Sequence, residues 1–270
     1  MLKRHPLSEQ LKRIWNIYRN RVRFSRKRAN SKNVHDLRVA TQKFQAILKL
    51  SQSIVPKPET KQLIQSLKKT RRKLGNLRDL HIESNLKETK VKHFSTYVGH
   101  EKKLAKKRVK KYLTELPLKE QKNLLAKVLN KKLLRTEKKR TLKQVRDLLD
   151  PAIQTTLSRF KKALAETTPE KMENLHRFRI LAKQLRYQEE GMKAACGSTP
   201  FNLSKLKKVQ ITVGKIQDNN ALLNTMNRYL TEKKHHGDPA VKKARKKLRD
   251  VQKRKIRKEF ENLSATQWKS

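Results

Sequence analysis

The sequence predicts an all-α protein built as two similar four-helix bundles related by a pseudo-twofold axis. Three observations lead there. Apolar residues recur at helical spacing between capping and proline signals, and no β-branched alternation or Asn-Gly or Asp-Gly turn marks a strand or hairpin. Two motifs also occur twice at nearly equal separation.

Taken in order, Pro6 precedes an apolar stripe of Leu7, Leu11, Ile14, Trp15, Tyr18 and Val22, which defines a first amphipathic helix. Asn33 followed by Asp36 reads as a capping pair opening a second helix that ends before Pro56 and Pro58. A third helix is expected from about Glu59 to the high eighties. Basic helical sequence then continues to Asp150, interrupted near Pro117. Asp150–Pro151, Thr168–Pro169 and Asp238–Pro239 each supply an N-cap residue followed by proline at the first helical position. About eight helices are expected in all.

The repeat sets the organisation. VHDLRVATQKF from Val34 returns as LHRFRILAKQL from Leu175, and LKKTRRKLGNLRDL from Leu67 returns as LKKVQITVGKIQDN from Leu206. His35 lies 40 residues before Gly75, and His176 lies 38 before Gly214. The first copy is placed at residues 7–150 and the second at 151–262, within one domain over 1–270, because either bundle alone would be small and strongly charged.

Charge bounds the function. The chain carries 71 Lys and Arg against 23 Asp and Glu, a formal net charge of +48. Such self-repulsion opposes compaction and is relieved by anions, so a polyanionic partner is expected and a neutral small substrate is not. The single cysteine, Cys196, excludes an internal disulfide and any CxxC metal or redox motif. No apolar run approaches the length of a membrane span or a signal h-region, and a cytoplasmic location is expected.

The chemistry lies on two helix stripes. At 100° per residue His35, Arg38, Gln42, Gln45 and Lys49 share an arc beside the apolar Val34, Leu37, Phe44, Ile47 and Leu48. In the second copy His176, Arg179, Lys183, Arg186 and Glu190 lie beside Leu175, Phe178, Leu181 and Leu185. A polar stripe bordering the apolar face sits where helices meet, so these cations should line a cleft. In the following helices Gly75 and Gly214 are expected mid-helix, where glycine costs about 1 kcal/mol relative to alanine and implies a packing reason. Close helix crossing is that reason. Asp79 and Asp218 share the glycine faces and are expected to hold a neighbouring Arg or Lys in place.

H-x-x-R-[VI] with a basic-apolar run, and L-G-x-x-[RQ]-D with its counterpart around Gly214, each present twice, resemble the CHAD family, the conserved histidine α-helical domain, over nearly the whole chain. The resemblance implies two four-helix bundles whose basic central cavity binds inorganic polyphosphate. It implies phosphate contacts from His35, Arg38, His176, Arg179, Lys183 and Arg186, extended by Lys68, Arg71, Arg72, Arg78, Lys207 and Lys208. Where the family has basic residues the first copy has Gln42 and Gln45, with Lys43 and Lys49 nearby, so Gln42, Lys43 and Lys49 complete the expected set and the first half should grip less strongly. Glu190 is expected to orient Arg186 or a neighbouring lysine. Association with polyphosphate granules is compatible with the same resemblance.

The physical chemistry agrees. Polyphosphate carries a charge on every unit and no bases, so many cations in a groove suffice: Arg as a bidentate donor, Lys as a mobile charge and His as a titrating donor. Binding should strengthen as pH falls and weaken steeply with salt. No catalytic residue, metal ligand or cofactor is expected, since ExExK is missing and carboxylates are scattered. His235, His236 and Asp238 form too weak a pattern for a metal site. GMKAACGST follows a helix and lacks P-loop spacing, so Gly197 is read as a C-cap. The rival reading is weak, nonspecific nucleic-acid binding, although the basic stripes carry no interleaved stacking aromatics. A granule scaffold that recruits partners is the third.

Overall fold

A computed structural model describes residues 6–54, 58–129, 133–134, 137, 139–166, 172–197, 202–232 and 237–264. These residues are almost all helical, with no strand among them. The helices are α1 (Leu7–Lys27), α2 (Ser31–Ile54), α3 (Pro58–Lys73), α4 (Gly75–Glu83), α5 (Lys92–Thr114) and α6 (Leu118–Val128), with a 3-10 turn at Lys87–Lys90 before α5. They continue as α7 (Leu142–Ala165), α8 (Met172–Cys196), α9 (Leu203–Thr231) and α10 (Pro239–Ser264). The predicted helical class holds, and the single third helix becomes two.

Each predicted stripe is buried. Leu7, Leu11, Trp15, Tyr18 and Val22 of α1 pack on α2, where the Trp15, Tyr18 and Phe44 rings lie 5.9–6.2 Å apart at tilted angles. The second such pairing sets α7 on α8, with Phe160 and Phe178 stacked at 4.9 Å. Helices α2 and α8 pack on each other at the centre of the molecule, and α9 crosses both α8 and α4. The α2–α8 contact is close at Gly191, where a Cβ would stand 2.5 Å from Ile47 Cδ1 and 3.1 Å from Leu50 Cδ1. Gln10 Nε2 of α1 donates to the Gly191 carbonyl at 3.2 Å, tying a third helix to this junction.

Four local expectations change. The α2 cap is Asn30, whose Oδ1 accepts the Asn33 N–H at 2.8 Å, so the helix opens before the Asn33/Asp36 pair. Asn33 Nδ2 donates to the Arg28 carbonyl at 2.7 Å, and Asp36 pairs with Arg21 at 3.2 Å. Pro151 lies inside α7, which opens instead at a capping box of Thr141 and Gln144, so the copy boundary at 151 falls within a continuous helix. A proline is tolerated there on the exposed face, at the cost of one backbone bond. Finally, Gly75 is the first residue of α4, following a break at Leu74, whereas Gly214 lies within unbroken α9.

Two caps hold as read. Asp238 Oδ1 accepts the Ala240 and Val241 N–H groups at 3.1 Å, and Gly197, at φ +80°, ends α8. The Thr168–Pro169 cap and the His235/His236 pair lie outside the described residues. Pro6 supplies no side-chain cap to α1, so the buried carboxylate of Glu137 does so from across the chain, accepting the Leu7 and Ser8 N–H groups. Glu137→Ala should lower the unfolding free energy by about 1–2 kcal/mol, measured by denaturant titration, as for loss of a charged helix cap.

Candidate functional site

Three helical segments bring their cations to one cleft of about 650 Å³. Helix α2 contributes Arg38 and Gln42; α3 and α4 contribute Lys68, Arg71, Arg72 and Asp79; α8 contributes His176, Arg179 and Lys183. The lining also includes Gln65, Lys69 and Ile180, which the stripe analysis did not select. Gln65, Lys68, Lys69 and Arg72 recur at helical spacing on one face of α3, and that periodicity was the available signal.

Two arginines meet two glycines here. At Gly75 a Cβ would stand 3.6 Å from Arg38 Nη1, and at Gly214 it would stand 3.3 Å from Arg179 Nη2. At Gly214 the missing Cβ leaves room for a guanidinium, whereas at Gly75 a Cβ would make only ordinary contact with one, and helix backbones are not what lies against either. Arg38 Nη1 donates to the Arg71 carbonyl at 3.1 Å, next to the α3–α4 break at Leu74. Arg179 Nε is buried with no hydrogen-bond acceptor.

The aspartates balance these charges. Burial pushes the Arg38 guanidinium down, against which Asp79 is the foremost opposing charge; burial likewise lowers Arg179, with Asp218 and then Asp79 opposing. Asp79 and Asp218 are themselves raised, chiefly by burial, while the arginines around them pull the other way. The expected role for the aspartates becomes a field effect across both repeats: Arg38, Arg78, Arg179 and Lys183 all act on Asp218.

Lysines carry the titration. Burial, then Arg179 and Arg38, lowers Lys183 to about 7, and burial, then Lys68 and Arg159, lowers Lys49 to about 8. Burial and then Arg78 lower His35, which does not line the cleft. Of the two, Lys183 lines the cleft. His176 does line the cleft, and its Nδ1 is 2.7 Å from Gln217 Oε1.

Other expected contacts turn elsewhere. Arg186 donates from Nη1 to Glu190 at 2.6 Å and from Nε to Gln210 at 2.9 Å, and lies over the Tyr187 ring at 4.4 Å. Lys43 pairs with Glu190 at 3.3 Å and is absent from the cleft lining, so Glu190 holds both cations as the sequence suggested for one. Arg78 donates to Ser31 Oγ at 3.2 Å and is absent from the cleft lining. Lys207 and Lys208 are exposed on α9 and border none of the cleft, because the faces of α9 turned inward carry Leu206, Val209, Val213 and Gly214.

The CHAD domain family matches residues 9–227, most of the chain and all of the cleft. The chain belongs to this family. A crystal structure of the CHAD domain from the plant Ricinus communis has the same fold, with a TM-score of 0.69 at 16% identity over 100% of this chain and 97% of that one. No curated protein matches the sequence. Among the described residues of this CHAD chain, no helix is long and apolar enough to cross a membrane, and no three His, Cys, Asp or Glu side chains gather as a metal site would require.

Beneath the cleft lies Glu83, 1% exposed, whose Oε1 accepts from Thr225 Oγ1 at 3.1 Å while Oε2 has no partner. Burial raises this carboxyl to about 7. A carboxyl raised on folding binds its proton more tightly in the native state, so its stabilisation is complete at acid pH and is lost as pH rises through about 7. Between pH 5 and 8 the wild type should lose about 2–3 kcal/mol relative to Glu83→Gln, read from paired thermal or denaturant melts.

Proposed function

We propose that this chain binds inorganic polyphosphate in the cleft between α2, α3–α4 and α8, without cleaving it. The observation that carries this reading is the composition of the cleft wall: among the described residues, seven lysines and arginines and one carboxylate, Asp79, with no Phe, Tyr or Trp. A ligand for such a wall is densely anionic and has no bases to stack. Arginines on three helices suit bidentate contact with successive phosphates, and the lysines between them suit a flexible chain that changes register. Family membership supports the same assignment.

Non-catalysis is part of the proposal. Asp79 lines the cleft and Asp218 is coupled to its Arg38, Arg179 and Lys183, and arginines oppose the burial that raises each. Polyphosphate incubated with the protein and Mg²⁺ or Mn²⁺ should keep its chain length on a gel, and shortening would overturn this part. We also infer that the architecture is a duplicated pair of bundles. Support comes from the α1–α2 and α7–α8 pairings and from the Arg38–Gly75 and Arg179–Gly214 packing. The second copy then begins at the Thr141 cap, ahead of residue 151. A cytoplasmic location, with recruitment to polyphosphate granules, belongs to the same reading.

Nonspecific nucleic-acid binding is the second reading, favoured by exposed cations such as Lys106, Lys107 and Arg108 on α5 and Lys242, Lys243, Lys246 and Lys247 on α10. The deciding experiment is displacement of labelled long-chain polyphosphate by charge-matched single- and double-stranded DNA at physiological salt. DNA should compete only at an excess of about 100-fold or more, whereas equal competition would put the nucleic-acid reading first.

A further inference from the structure

The cleft leads into a smaller pocket. Gln42, Lys68, Arg71, Ile180 and Lys183 line both, so they form the mouth between them. The inner lining adds Gln45, Ala46, Lys49, Gln184 and Tyr187. Of these Gln45 is 7% exposed, Ala46 1% and Tyr187 3%, so the inner part is set into the α2–α8 junction. Its volume is about 70 Å³, on a scale where one water takes ~10–15 Å³, which is space for one or two phosphate groups and too little for a chain that enters and doubles back.

Its charge differs from that of the cleft. Lys49, Lys68, Arg71 and Lys183 border it, and among the described residues no carboxylate does. Lys49 is held in place: its Nζ donates to Gln184 Oε1, and Gln184 Nε2 in turn donates to Thr156 Oγ1 at 2.8 Å. Gln45 is fixed by its bond to the Ile64 carbonyl at 3.3 Å. These are pre-set side chains around a small cationic space.

We propose that this inner pocket anchors the terminal phosphate of the polyphosphate chain, with the remaining units running out over Arg71, Arg38 and Arg179 along the cleft. The inference rests on the polyphosphate reading and narrows it from a chain that threads through to a chain held by its end. A terminal phosphate titrates a second time near pH 6, so it is a dianion at neutral pH while every internal unit carries one charge. A pocket with four cations and no acid discriminates in favour of that second charge. The depressed Lys183 and Lys49 fit this: the empty pocket sheds protons to relieve its own repulsion, and a dianion restores them.

The test compares polyphosphate of one length with free ends against the same chain with both terminal phosphates methyl-esterified, which leaves every unit singly charged. Binding is measured by calorimetry near pH 7.5, where the free end is a dianion. Free ends should bind at least ~10-fold more tightly, and affinity counted per end should change less than ~3-fold between chains of about 10 and about 100 units. Lys49→Gln should abolish the difference by weakening the free-ended chain to the level of the capped one.

Equal binding of capped and free chains, with affinity rising in proportion to length, would overturn the end-anchor and leave the polyphosphate reading intact. If neither chain outcompetes charge-matched DNA, the polyphosphate reading itself fails. The comparison of capped and free chains uses the wild-type protein, so it does not depend on how well the variant folds.

Discussion

Replacing Lys68 and Lys183 together by glutamate is expected to weaken polyphosphate binding by at least ~100-fold, while Lys243→Glu with Lys247→Glu costs less than ~5-fold. Both pairs change the formal net charge equally, so a diffuse +48 field predicts similar losses and a site does not. The reason for the difference is location. Lys183 is partly buried at the mouth shared by the cleft and its inner pocket, where the effective dielectric is low, and Lys68 stands at the same mouth. Lys243 and Lys247 are exposed on α10, where salt screens each charge within about 8 Å. Lys183 is preferable to Arg179 for the reversal, because a glutamate at 179 would join Asp79 and Asp218 in one buried group. Fluorescence anisotropy at physiological salt reads the result, and circular dichroism confirms that the helices persist. Equal weakening by the two pairs would sink the site.

Raising the pH from 6 to 9 is expected to weaken binding on the order of 100-fold, with the fall beginning near neutrality. The sign follows from the lysines. The anion binds the protonated forms, so binding is full below the free-site values of about 7 for Lys183 and about 8 for Lys49 and declines as pH rises through them. Each group contributes up to tenfold per pH unit above its own value. Lys183→Arg should remove the first part of the decline, since arginine stays charged throughout. His35 cannot supply this behaviour, because burial and Arg78 lower it below its ordinary value. A flat profile would show that neither lysine touches the ligand. Proton uptake by calorimetry in two buffers of different ionisation enthalpy gives an independent reading of the same coupling.

The depressed lysine in the cleft was not legible in the sequence. A histidine repeated in H-x-x-R is the natural candidate for titration near neutrality, and a lysine is not. Lys183 becomes one only because Arg38 of α2 and Arg179 of α8 converge on it inside a partly buried cleft. The glycines tell a similar story. Their recurrence signalled a packing demand, while the identity of what packs there, Arg38 at Gly75 and Arg179 at Gly214, depends on helices far apart in sequence.

By itself the sequence determined the helical class, the apolar stripes, the repeated motifs and the strongly basic character of the chain, because periodicity and net charge are properties of the chain read locally or in sum. The tertiary structure decided which cations share a cleft. Arg179 and Lys183 face it while Arg186, one turn further along the same stripe, is held by Glu190 and Gln210. Lys207 repeats the position of Lys68 yet stays outside. A helical wheel gives directions around one axis; where those directions lead depends on how each helix is rotated and crossed against its neighbours, and that is fixed by long-range packing at contacts such as Gly191 against Ile47.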